Sequence, residues 1–183
     1  MAVGEKAGLP VVPGMELCTA EEVHIVCLFS EIDNAERFSD YVLSTAPPIK
    51  NRPEIFGNQY ITDENDNITG EQEILLTTAS GISIDNAVDI VESYGGVCYP
   101  AHIDRSSYSV ISNLGMITPE MKFNAVEITA NADCEKYKAQ FPIINEMKIF
   151  TGSDAHYLEN MIEPKYLLDI PTPTAENVIK YIR

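Results

Sequence analysis

Residues 8–29, GLPVVPGMELCTAEEVHIVCLF, carry the reading of the fold. Gly8–Leu17 is a short apolar run punctuated by Gly and Pro, which predicts a strand. Glu22–Phe29 is almost wholly apolar and predicts a second strand, buried on both faces. Each run holds one side chain that does not belong in a plain core: Glu16 at the end of the first and His24 inside the second. The residues before them, MAVGEKA, read as the end of a helix stopped by Gly8.

Working outward, Ile32, Ala35, Phe38, Tyr41 and Val42 recur at helical spacing and predict an amphipathic helix that ends before Pro47-Pro48. Residues 47–75 read as an insertion, a loop over 47–58 followed by a small hairpin whose tip is Asp63-Glu64-Asn65-Asp66. Ser83 caps a helix through Val91 that stops at Gly95-Gly96. Beyond it, the spacing predicts strands at 97–101, 125–128, 148–151 and 166–170. Helices are expected at 108–114, 133–140 and from Thr174 to Ile182. Strands alternating with helices from residue 84 onward argue for parallel βα units, in an open sheet or in part of a barrel.

Composition narrows the function classes. The chain has 183 residues, 45% of them hydrophobic, enough to bury one core. Lys and Arg number 12 against 28 Asp and Glu, a formal net charge of −16. So acidic a chain argues against nucleic acid as a partner, because phosphate binding needs a Lys/Arg surface. No apolar stretch approaches membrane-spanning length. The absence of a secretory pattern and of any CxxC among Cys18, Cys27, Cys98 and Cys134 predicts a cytoplasmic protein with reduced cysteines. No glycine-rich nucleotide loop and no GxSxG elbow is present.

Only three histidines occur, and each lies in or just after a predicted strand: His24, His102 in AHIDR, and His156 in GSDAH. Glu16 and Asp154 sit at equivalent strand ends. Catalytic groups of parallel α/β folds come from such ends. Imidazoles and carboxylates arriving from separate strands make hydrolytic metal sites, suited to Zn, Mn or Fe. Each residue also has a simpler reading. His24 alone is a core histidine, Asp154-Ala155-His156 a plain turn, Glu16 a turn cap, and Arg105 a partner in a surface salt bridge. Their conjunction favours the metal site.

The segments GLPVVPGMELCTAEEVHIVCLF, GGVCYPAHIDR, FNAVEI and FTGSDAH, in this order, resemble the PHP family, named for polymerase and histidinol phosphatase. The resemblance runs from about residue 8 to the last helix. It implies a distorted (β/α)7 barrel, here incomplete and carrying the small β-hairpin insertion, that holds divalent metals and hydrolyses phosphate esters. It implies Glu16, His24 and His102 as ligands of one metal, Asp154 and His156 as ligands of others, and Arg105 as the contact to a small phosphorylated substrate. No HxH and no TDH-like motif is present. The resemblance therefore implies a single domain over 1–183 that matches the C-terminal portion of the family. Its expected activity is weak phosphomonoester hydrolysis. The alternatives are a catalytically incomplete module that forms homo-oligomers through exposed sheet edges beside Val11 and near Leu167, or one half of a split enzyme.

Overall fold

The computed structural model describes residues 1–163 and 166–183. It begins with α1 (Ala2–Ala7), closed by Gly8 in the left-handed conformation. Then come β1 (Gly14–Cys18), β2 (His24–Leu28) and α2 (Ile32–Thr45). A short α3 (Pro53–Phe56) interrupts the expected loop, and β3 (Tyr60–Thr62) pairs with β4 (Ile68–Glu71) as the expected hairpin, whose residues lie largely in solvent. The remainder is α4 (Ile84–Ser93), β5 (Val97–Pro100), α5 (Val110–Leu114), β6 (Ala125–Thr129), α6 (Cys134–Gln140), β7 (Lys148–Gly152) and α7 (Ala175–Ile182).

Three expectations need correcting. The first strand starts only at Gly14. Pro10 and Pro13 have no N–H to give a ladder, which restricts regular pairing before that point. Residues 166–170 form no strand, and Leu167 is almost fully exposed. Its apolar pattern finds no sheet to pack on. The parallel sheet is also smaller than expected. β2 is central and antiparallel to both neighbours, in the order β1-β2-β5. Only β6 and β7 are parallel. No closed barrel forms among the described residues.

β2 departs from its expected burial in an informative way. Val23, Ile25, Cys27 and Phe29 are fully buried, while His24, Val26 and Leu28 alternate with them and are only half-buried. The buried face meets Phe38 and Val42 of α2 and Ala87 and Val91 of α4 in the main core. The other face leans on a second cluster built from Val97, Tyr99, Ala125, Ile179 and Ile182, which seats α7. Tyr99 of β5 stacks on Phe150 of β7 with centroids 5.0 Å apart, which ties the two sheets together. A single backbone bond, Ile103 N–H to the Glu127 carbonyl at 2.9 Å, extends β5 along β6.

The start of α4 shows how tertiary contact replaces a local cap. Ser83 occupies the N-cap position, but its side chain caps no backbone N–H. Glu21 reaches in from the β1–β2 turn and accepts from Ile84 N–H at 2.9 Å, placing a carboxylate at the positive end of the helix.

Gly96 must lack a side chain. A Cβ there would lie 2.5 Å from a ring carbon of Phe29 and 2.8 Å from the Leu28 carbonyl oxygen. Gly96→Ala is expected to destabilise the chain by about 1–3 kcal/mol, the usual range for overpacking a core. Urea unfolding of the two proteins measures this; equal midpoints would contradict the packing.

Candidate metal centre

Strand alternation puts Glu16 and Cys18 of β1 on one face with His24 and Val26 of β2, because the register pairs Glu16 with Val26 and Cys18 with His24. Glu16 is thus the diagonal cross-strand neighbour of His24, close enough for side chains to meet. The Glu16 Oε1 lies 2.9 Å from His24 Nδ1. His102 arrives from the third strand, just after β5, and its Nε2 lies 3.2 Å from the same oxygen.

His102 gets there through an unusual backbone. Its φ is 27°, in the left-handed region that non-glycine residues seldom adopt. Tyr108 (φ 54°) and Asp154 (φ 48°) share that feature and line the same cleft of about 190 Å³. Conformations of this kind cost on the order of 1–3 kcal/mol each and persist only when the surroundings hold them. The holding groups are visible. The carboxylate of Asp104 accepts from Thr129 N–H at 2.8 Å and from the Thr129 hydroxyl at 2.6 Å, which pins the His102 turn to β6. Tyr108 stacks on the His24 ring with centroids 4.7 Å apart, and its carbonyl accepts from His24 N–H.

The electrostatics follow from this convergence. Hydrogen bonds from His102 first, and then from His24, pull the Glu16 carboxyl from its ordinary 4.5 to about 2. The Cys18 sulfur first, and then Glu16, raise His24 from 6.5 to about 9. Burial, the largest single influence, pushes His102 down, but Glu16 and Asp154 together raise it above its ordinary value. Two imidazoles converging on one carboxylate oxygen favour its ionised form.

The donor set fits a divalent metal. Glu16, His24 and His102 offer one oxygen and two nitrogens, all within 4.8 Å of one another. This is the hard-and-borderline mixture favoured by zinc and similar ions, with three protein ligands and room for water. The rear nitrogen of His102, Nδ1, is buried without a hydrogen-bond partner among the described residues.

Asp154 and His156 line the same cleft but are not among the three groups that converge on one point. Asp154 pairs with Arg105 at 2.9 Å and lies 3.5 Å from His156 Nε2. The His156 side chain is 78% exposed. Arg105 thus forms an ion pair with Asp154, and both residues line the cleft beside the trio. Sequence reasoning missed Asp104, Tyr108 and Glu127. Asp104 lies within AHIDR, but only its contact with Thr129 shows its role. Glu127 lies behind the cluster, its carboxyl pushed up chiefly by burial. It occupies the space that a Cβ on Gly152 would fill, 2.5 Å from its Oε1, which explains the glycine in GSDAH.

No family model and no curated protein matches the chain. Among solved structures, the chain is similar to the lesion-specific endonuclease PfuEndoQ from Pyrococcus furiosus, with a TM-score of 0.66 and 14% sequence identity. The similarity covers 92% of this chain and 38% of that one, so the chain spans well under half of the length of its structural neighbour. At this identity the likeness establishes a shared fold.

In chelator-treated protein the cluster should leave a pH signature. Glu16, with its pKa lowered, contributes stability above about pH 4.5 that fades as pH falls toward 2. His24, with its pKa raised, contributes stability below about pH 6.5 that is lost as pH rises through 9. Thermal melting should therefore decline between pH 6.5 and 9, and His24→Ala should flatten that limb. An unchanged limb in the variant would refute the assignment.

Proposed function

We propose that the chain is a metal-dependent phosphoesterase of the PHP type, acting on a small phosphate monoester. The observation that carries this reading is the meeting of Glu16 of β1, His24 of β2 and His102 from the turn after β5 at one point beside a cleft. The fold shared with an endonuclease and the PHP-like sequence segments support it. A divalent ion at that point would polarise a phosphoryl oxygen and acidify a water molecule.

The chain's own residues do the rest. Glu16 supplies the anionic ligand and is held ionised by the two imidazoles. His102 is kept rigid by burial and by the Asp104 tether of its turn, so the ligand geometry is set before metal or substrate arrives. Tyr108 fixes the plane of His24. Asp154 holds the Arg105 guanidinium at the cleft mouth, where it can turn two donors to an incoming phosphate. A small monoester suits this site better than a polyanion, because a chain of net charge −16 repels a run of phosphates.

A second reading, a catalytically incomplete module, is favoured by one observation. Asp154 and His156 engage each other and Arg105 rather than a second ligand cluster, so a two-metal clamp on the attacking and leaving oxygens is not assembled from them. Turnover by this chain alone is accordingly expected to be low.

With p-nitrophenyl phosphate and added Mn or Zn, slow turnover is expected that His102→Ala and Glu16→Gln remove. Elemental analysis should find close to one equivalent of metal in the parent protein and little in either variant. Arg105→Ala should retain metal and reduce kcat/KM by about 10–100-fold, the loss of a hydrogen bond to a charged group. Metal bound without turnover would favour the incomplete module. No bound metal would remove both the site and the activity assigned to it.

A further inference from the structure

Cys27 and Cys98 face each other across the β2–β5 ladder. Ala101 N–H donates to the His24 carbonyl at 3.0 Å, which makes their positions a hydrogen-bonded pair. Such pairs alternate along an antiparallel ladder, so Ile25 and Cys27 stand at the intervening non-hydrogen-bonded positions. Pro100, which has no N–H to give, falls opposite Ile25, as this parity requires. At a non-hydrogen-bonded pair the Cα atoms come within about 4.5 Å of each other and the side chains are closest. A disulfide needs Cα atoms about 4.4–6.8 Å apart. Strand register alone therefore sets the two cysteines at bridging distance.

Both are free thiols that belong to the main core, on the face of β2 turned away from His24. Cys27 is fully buried and Cys98 nearly so. Burial first, and then the neighbouring Cys98 thiol, push the Cys27 thiol well above its ordinary range. The thiolate is the reacting species, so the pair is slow to react while the strands stay closed. The other cysteines have no such partner. Cys18 stands opposite His24, and Cys134 opens α6.

We propose that Cys27 and Cys98 form a redox-closable staple, which hydrogen peroxide converts to a disulfide that joins β2 to β5 without moving either strand. One sulfur, as thiolate, attacks a peroxide oxygen. The O–O bond breaks, a sulfenic acid forms, and the departing hydroxide takes up the thiol proton as water. The second sulfur then attacks the first, the S–O bond breaks, and a second water leaves with the second thiol's proton. Two thiols and one peroxide give one disulfide and two waters. The first step takes place when β2 and β5 briefly part, and the second when they close again. His24 lies three residues before Cys27, and His102 four residues after Cys98. The bond therefore fixes the separation of the strands that present these histidines, whether or not a metal is bound. The inference rests on strand register and stands independently of the hydrolase reading.

In the test, the full chain is treated with dilute hydrogen peroxide, remaining thiols are blocked with iodoacetamide, and peptides are mapped by mass without reduction. Two peptides joined through Cys27 and Cys98, together lighter by two hydrogens, are expected, and a reductant should part them. The oxidised chain should melt about 5–15 °C above the reduced one, because the bond ties positions far apart in sequence. Cys27→Ala and Cys98→Ala should show neither the link nor the rise. Should either variant fail to fold, the oxidised parent and the same sample after reduction make the comparison. Should the folded chain react too slowly to follow, urea just below the unfolding midpoint parts the strands more often, and the linked peptides must then accumulate. No Cys27–Cys98 link in that urea, links dominated by Cys18 or Cys134, or a link that leaves the melting temperature unchanged or lowers it would overturn the proposal.

Discussion

Everything in this molecule is registered on β2. It is paired antiparallel on both edges, and its buried face carries Val23, Ile25, Cys27 and Phe29. Fully burying a large apolar side chain contributes about 1.5–3 kcal/mol. A slip by one residue would turn all of these outward at once and bring His24 into the core. The register is therefore fixed by the hydrophobic effect, with no need of the site itself. Once fixed, it dictates that His24 lies diagonal to Glu16 and that β5 ends beside both.

The site thus consists of polar groups positioned by an apolar constraint. Glu16, His24 and His102 gain their proximity from strand pairing, and their electrostatic coupling is a consequence of it. The cost appears as strained backbone at His102, Tyr108 and Asp154. It is offset by Asp104 bridging to Thr129, by the stacking of Tyr108 on His24, and by the ion pair of Asp154 with Arg105.

Much of this was legible in the sequence, for particular reasons. The α2 and α4 stripes repeat at 3.6 residues and were read from Ile32 and Ile84 onward, because an amphipathic face announces itself locally. The hairpin over 60–71 was legible from its turn residues. The apolar Val26 and Leu28 predict a β2 buried on both faces. Yet burial depends on what covers a face, and only α7 and the second cluster reveal that the cover is partial. The expected strand at 166–170 failed on the same ground, since an apolar pattern becomes a strand only where a sheet edge accepts it. The parallel sheet was over-extended because alternating elements do not specify which neighbour a strand chooses, and β5 chose β2.

By itself the sequence determined the inventory: three histidines and two carboxylates in or just after predicted strands, an acidic composition, and glycines where the chain must turn. Residue type and local periodicity suffice for that, because propensity and hydrophobic spacing act over a few residues. Only the tertiary structure decided which of these groups meet. It brought Glu16, His24 and His102 onto one oxygen and sent Arg105 to Asp154. It also left the His156 side chain largely exposed at the rim of the cleft. Those outcomes depend on long-range strand register and on the direction each turn leaves its strand, neither of which is encoded in any local pattern.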